Sequence, residues 1–313
     1  MNKLLITGGT GFVGHRLLQQ LNSRSVSVIS AGRQSKENTK VIDYVVDEID
    51  RSTAWLPILT GVNVIIHLAA RVHVMQDEHH NPLKAFRETN VKGTINLARQ
   101  AASAGVKRFI FVSSIKVNGE QTLSGRPYTT DSAAMPQDAY GISKYEAEQQ
   151  LLALAKETGM EVVVIRPPLV YGPGVKGNFA SLMKWARAGI PLPLGAIHNR
   201  RSLVAVDNLV SLMITCIDHP FAANQIFLVS DGEDMSTSDL SRRLAKAAGA
   251  SSRLIPVPAG LLKVGLTVLG KRMIAQRLLG SLQVDISKTR EVLGWTPPIS
   301  VDEGLRRCFS VKD

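Results

Sequence analysis

The sequence predicts an α/β protein: a doubly wound parallel sheet with a smaller C-terminal α/β lobe. Three observations predict it. Apolar runs of four to six residues alternate with longer helical segments through the first half of the chain. A glycine-rich turn joins the first run to the first helix. After Arg166-Pro167-Pro168 the texture changes, and Gly and Pro thicken over Gly172–Gly195, as where a chain leaves one sheet for a second lobe.

The elements follow in order. Leu4–Thr7 reads as a strand, the glycines as a turn, and Phe12–Leu21 as a helix. Val26–Ser30, Val41–Val46 and Val62–His67 are strands, followed by a helix over Pro82–Ala104. Arg108–Ser113 is a strand, Tyr140–Thr158 a helix and Glu161–Arg166 a strand, with right-handed crossovers between them. Val204–Ile217 reads as a helix and Gln225–Val229 as a strand returning to the sheet. Ser236–Ala248 opens on Ser, Thr and Asp and reads as a capped helix of the smaller lobe.

Composition narrows the class. The chain has 313 residues, 44% of them hydrophobic and 20% charged, which is globular rather than disordered. Only 5% are aromatic, against an aromatic nucleic-acid surface, while the net charge of +11 calls for anionic partners. Two distant cysteines, Cys216 and Cys308, exclude a disulfide framework and a Cys-rich zinc site. With no signal-peptide pattern and no uninterrupted apolar span, a cytoplasmic location is expected. The nearest approach to a span, Ala259–Leu282, is broken by Lys263, Lys271, Arg272 and Arg277.

Gly8, Gly11 and Gly14 punctuate Thr7–Gly14, with Phe12 and Val13 opening the helix. Small residues there let the backbone approach a pyrophosphate at the helix N-terminus, so the turn is a candidate dinucleotide site. A bare tight turn is the plainer reading. The second strand ends Ser30-Ala31-Gly32-Arg33, with no acid to hold a ribose 2′-hydroxyl. Arg33 can pair with a 2′-phosphate, so NADP(H) is favoured over NAD(H). Glu48 and Ile49, after the third strand, are candidates for the adenine rim.

Tyr140 and Lys144 stand four apart on one helical face, and Ser113-Ser114 end the preceding strand. A tyrosine of pKa about 10 is a poor acid–base catalyst near neutrality. A neighbouring ammonium and a cationic ring are expected to lower that pKa. A serine hydroxyl can share the hydrogen bond to the reacting oxygen.

Together, Thr7–Gly14, His67-Leu68-Ala69-Ala70, Asn90, Ser113-Ser114, Tyr140/Lys144 and Arg166-Pro167 with Val170-Tyr171-Gly172-Pro173 resemble the extended short-chain dehydrogenase/reductases. The resemblance covers essentially the whole chain and is nearest to the nucleotide-sugar epimerase/dehydratase/reductase branch. It implies a Rossmann cofactor lobe over 1–166 and about 203–230. The nucleotide-sugar lobe would cover about 167–202 and 231–313. Ser114, Tyr140 and Lys144 would be the catalytic triad, and Asn90 a structural residue. Leu68, Ala69, Ala70 and Pro167 would join the glycine turn around the cofactor. A homodimer through the tyrosine helix is implied as well.

Departures select within the branch. Dehydratases carry Asp-Glu after the triad Ser/Thr; here those positions are Ile115 and Lys116, so loss of water from the sugar is not expected. Leu169 replaces the usual substrate-side Asn. The resemblance aims Asn178 and Arg201 at the sugar diphosphate, with Arg277 as a weaker second arginine. Ala69–Met75, Ser114–Gly119, Arg166–Gly177 and Leu192–Ser202 are similar to a narrower subgroup, bacterial reductases of the C4 ketone of UDP-4-keto-6-deoxy-N-acetylhexosamines used for surface polysaccharide. The expected activity is that reduction. The alternative is a UDP-glucose or UDP-GlcNAc 4-epimerase holding NAD tightly. A catalytically dead nucleotide sensor is set aside because Tyr140 and Lys144 are both present.

No metal is expected: His73, His79 and His80 near Asp77 and Glu78 repeat no ligand spacing. The basic stretch Lys263–Arg277 reads first as a solvated helix, with a membrane surface as the other reading.

Overall fold

The computed structural model describes residues 3–24, 26–33, 41–72, 82–123 and 125–310. The strands are β1 (Lys3–Thr7), β2 (Ser27–Gly32), β3 (Ile42–Val45), β4 (Val64–His67), β5 (Arg108–Val112), β6 (Glu161–Arg166), β7 (Leu169–Tyr171), β8 (Arg201–Ala205), β9 (Gln225–Leu228) and β10 (Asp234–Met235). Seven form one sheet in the order β3-β2-β1-β4-β5-β6-β9, and every pairing in it is parallel. This is the predicted doubly wound sheet.

Side-chain parity explains why the strands are apolar throughout. Leu4 and Ile6 face one core with Leu17, Leu21 and Leu209; Leu5 faces the other with Leu97, Ala101 and Leu151. A strand covered by helices on both faces has no polar side to show. A third core, built on Tyr171, Phe179, Leu203, Leu244 and Leu305, belongs to the small sheet β10-β8-β7. Cys216 and Cys308 are free and buried, and burial pushes both thiols up to about 12.

Three elements differ from expectation. Val204–Ile217 is not one helix: β8 takes Arg201–Ala205 and the helix runs Val206–Thr215. In β8, Val204 enters the main core while Leu203 and Ala205 enter the small one. A strand buried on both faces has no polar beat to separate it from a buried helix. The helix over Pro82–Ala104 is interrupted by a π-helical turn, Glu88–Gly93. Gly93 ends that turn against Ile49, where a Cβ would stand 2.6 Å from the Ile49 carbonyl oxygen. Ala259–Leu282 splits into helices Ala259–Val268 and Arg272–Leu279 around Gly270 (φ +69°). Among the described residues, no helix is long and apolar enough to cross a membrane.

Candidate active site

The glycine turn, Arg33, Leu68–Ala70, Ser114 and Pro167 follow the C-terminal ends of the parallel strands, and the strand order reverses between β1 and β4. Gly8 has φ +73°, a region a β-carbon disfavours, and a Cβ there would stand 2.7 Å from the Ala69 nitrogen. A Cβ on Gly14 would stand 2.2 Å from the Gly8 carbonyl oxygen. The helix Phe12–Leu21 begins at Gly11 with no side-chain cap and no acid in its first turn. Its first N–H groups are thus not taken up by a cap and can meet an anion. Arg33 is exposed at the end of β2 and Glu48 is exposed after β3, while Ile49 is half-buried beneath the π turn.

A buried relay fixes the wall opposite the turn. The Ala69 N–H donates to Thr7 Oγ1 (3.3 Å), which shares a 2.7 Å hydrogen bond with His67 Nδ1; His67 Nε2 meets Thr94 Oγ1 at 2.9 Å. Burial, then the Lys144 charge, hold His67 down to about 3, so the ring is neutral and structural. Leu68, Ala69 and Ala70 follow it, half-buried, along the cleft. Asn90, in the π turn, accepts from the Arg71 N–H (2.8 Å) and donates to the Arg71 carbonyl and to Ser143 Oγ, both at 3.0 Å. Ser143 Oγ donates to the Tyr140 carbonyl (2.8 Å). Asn90 therefore ties the loop after β4 to the tyrosine helix.

That helix, Ala139–Thr158, starts at Asp138, whose carboxylate accepts from the Gly141 N–H at 2.7 Å. Lys144 is 2% exposed; its Nζ donates to the Val112 carbonyl (2.9 Å) and lies 4.5 Å from the Phe111 ring centre and 5.9 Å from that of Tyr140. Burial holds its pKa down to about 7, opposed by the Glu148 carboxylate. Tyr140 departs from expectation. Burial first, and then Asp138, push its phenol well above 10. The surrounding protein therefore opposes the lowering expected from the sequence, which is left to charges brought by ligands.

Ser114 caps a short 3₁₀ turn, Ile115–Val117, accepting from the Lys116 N–H at 3.3 Å. The Ile115 N–H donates to the carbonyl of buried Pro167 (3.0 Å), which places the serine beside the end of β6. The neighbouring Ser113 hydroxyl is buried and has no hydrogen-bond partner among the described residues. An orphaned hydroxyl, a glycine cradle that any Cβ would fill and an uncapped helix start together fit a dinucleotide.

Sequence reasoning missed a polar network beneath the triad. Tyr140, Lys144 and Glu148 recur every four residues, and Glu148 (0% exposed) pairs with buried Arg166 through bonds of 3.0 and 3.2 Å to Nε. Arg166 also donates to Asn118 Oδ1 at 3.1 Å. The continued spacing of four was the available signal. Lys116, read only as a missing acid, pairs with Asp138 and, at 3.2 Å, with Glu120. It ties the Ser114 turn to the start of the tyrosine helix.

On the small-lobe side, Arg201 is largely buried and donates to the Gly280 carbonyl at 3.0 Å. Burial and the Arg277 guanidinium both hold its pKa down. Arg277 thus acts on Arg201 as a like charge, a repulsion that an anion would relieve. Asn178 is exposed in the first turn of helix Gly177–Arg187. Among the described residues, no group of three or more His, Cys, Asp or Glu is placed to hold a metal ion; His73, His79, His80, Asp77 and Glu78 lie outside them.

A profile of the NAD dependent epimerase/dehydratase family matches residues 4–230. The chain is 52% identical over 306 residues to a Vibrio cholerae protein named UDP-glucose 4-epimerase, covering 97% of this chain and 93% of that one. Among solved structures, UDP-glucose 4-epimerase of Thermotoga maritima with UDP-glucose aligns at TM-score 0.77, with 24% identity over 98% of this chain and 97% of that one. RMD of Pseudomonas aeruginosa complexed with NADPH aligns at TM-score 0.75, with 22% identity over 99% of each chain.

Proposed function

The chain belongs to the NAD dependent epimerase/dehydratase family and is an enzyme of it, and we propose that it is a UDP-sugar 4-epimerase acting on a UDP-hexose or UDP-N-acetylhexosamine. The observation that carries this reading is the 52% identity, over nearly the full length of both chains, to a protein named UDP-glucose 4-epimerase. It moves the epimerase ahead of the 4-keto reductase that the local motifs favour. A nicotinamide cofactor, when bound at the glycine turn, supplies the means to take a hydride from sugar C4 and return it. The main-sheet lobe holds that cofactor and the small-sheet lobe the UDP-sugar.

The chain's own residues do the rest. Tyr140 takes the proton from the C4 hydroxyl as the ketone forms and gives it back on reduction. Ser114 shares a hydrogen bond with the same oxygen. Lys144 holds the cofactor ribose and brings a positive charge under the phenol. Arg201 and Arg277 hold the diphosphate, with Asn178 at its edge. Leu68, Ala69, Ala70 and Pro167 line the nicotinamide side. Ile115 and Lys116 offer no carboxylate pair, so the sugar keeps its C6 hydroxyl.

One observation favours a second reading. Arg33, exposed at the end of β2, suits a 2′-phosphate, and NADPH suits an enzyme that exchanges its cofactor at each turnover. That enzyme would reduce the C4 ketone of a UDP-4-keto-6-deoxy-N-acetylhexosamine. Purified protein given UDP-GlcNAc or UDP-glucose separates the two. Interconversion with the C4 epimer and retained NAD supports the epimerase. No interconversion, with NADPH consumed on the 4-keto sugar, supports the reductase. A homodimer through the tyrosine helix goes with either reading; a monomeric mass in light scattering would refute it.

A further inference from the structure

The +11 net charge is unevenly placed. Between residues 240 and 284 the sequence has eight Lys or Arg and no Asp or Glu. The same segment carries helix Ala259–Val268, which is apolar except for Lys263 and Thr267 and has no buried residue. Leu261, Val264 and Val268, at spacings of three and four, form one outward stripe; Leu261 is 66% and Val268 81% exposed. Leu269 and Met273 extend that surface past Gly270, where Lys271 and Arg272 stand exposed. Leu262, on another face, packs onto the small-lobe core. The stripe is therefore surplus to the fold.

We propose that this helical hairpin docks on an anionic lipid bilayer. Arg242 and Arg243 pair with Asp239, Glu233 and Asp302, but an exposed apolar stripe beside Lys263, Lys271 and Arg272 is what an interfacial helix presents: side chains enter the acyl boundary while ammonium and guanidinium groups meet headgroup phosphates. Charge selects this occupant over a second copy of the chain, which would bring the same cations to the same face. The hairpin also carries Arg277, so docking sets the Arg201–Arg277 pair near the headgroup plane. The surface stands whichever sugar reaction the cleft performs.

Flotation of the full-length protein with vesicles tests it. With phosphatidylglycerol in phosphatidylcholine the protein floats at low salt and is released at high salt; with phosphatidylcholine alone it stays behind. Replacing Lys271 and Arg272 together by Ala weakens binding roughly thirtyfold, from about 1 kcal/mol per basic residue. Leu261→Ser with Val268→Ser weakens it about tenfold or more. Both double variants keep their turnover of soluble UDP-sugar, because neither touches the cleft. No flotation with anionic vesicles, or unaltered binding of both variants, overturns the proposal. Loss of an oligomer in the Leu261/Val268 variant, read by light scattering, overturns it too and assigns the face to a second copy.

Discussion

Two helices of this protein invert the usual relation between polarity and burial. Ala139–Thr158 is rich in polar residues, yet it buries Ser143, Lys144 and Glu148. Ala259–Val268 is almost wholly apolar, yet it buries nothing. The first is held by its surroundings: Asp138 caps its start, Asn90 and the Tyr140 carbonyl satisfy Ser143, the Val112 carbonyl and the Phe111 ring meet Lys144, and Arg166 pairs with Glu148. The second touches the small-lobe core through half-buried Leu262 and keeps the stripe of Leu261, Val264 and Val268 in solvent. Charges inside and hydrocarbon outside are both costly in a free monomer. Each marks a place where something other than fold stability sets the side chain.

Replacing Tyr140 by Phe tests the buried helix most directly. The expected loss of turnover is about three orders of magnitude, the middle of the range for a positioned acid–base group, with an unchanged unfolding midpoint. Glu148→Ala leaves Arg166 buried and unpaired. It is expected to lower stability by about 3–5 kcal/mol in chemical denaturation. On the proposed epimerase reading, Arg201→Ala removes one charged partner of the diphosphate and raises KM for UDP-sugar roughly tenfold or more, with a smaller change in kcat.

The fourth prediction is a pH effect. Lys144 has a folded pKa of about 7 against an ordinary 10.5, so between those values the unfolded chain binds more protons. Its contribution to stability therefore rises with pH across that window, and its penalty is fullest below pH 7. Lys144→Met should gain stability relative to the parent protein below pH 7. The gain should shrink as pH approaches 10.5, measured as the difference in denaturation midpoints. The smallest effect belongs to the exposed helix. Val264→Ser should change stability by no more than about 0.5 kcal/mol, because the side chain leaves no packed core. A larger loss would mean that the apolar stripe holds the fold together after all.

The sequence by itself determined the parallel sheet, the glycine turn and the order of the triad residues. These depend on local pattern: apolar runs between helices, glycine where a Cβ would collide, and a spacing of four on one helix. Tertiary structure decided what depends on packing between distant segments. It split Val204–Ile217 between strand and helix, because a strand shared by two cores has the same apolar texture as a buried helix. It let the Arg277 charge act on Arg201, a coupling that no local spacing reveals. It turned Lys116 from a missing acid into a brace on Asp138, and it set the Tyr140 phenol above its ordinary value. A pKa is fixed by burial and by every nearby charge, and those neighbours come from elements far apart in the chain. It also left helix Ala259–Val268 with no buried residue, because burial depends on what packs against a side chain as well as on its polarity.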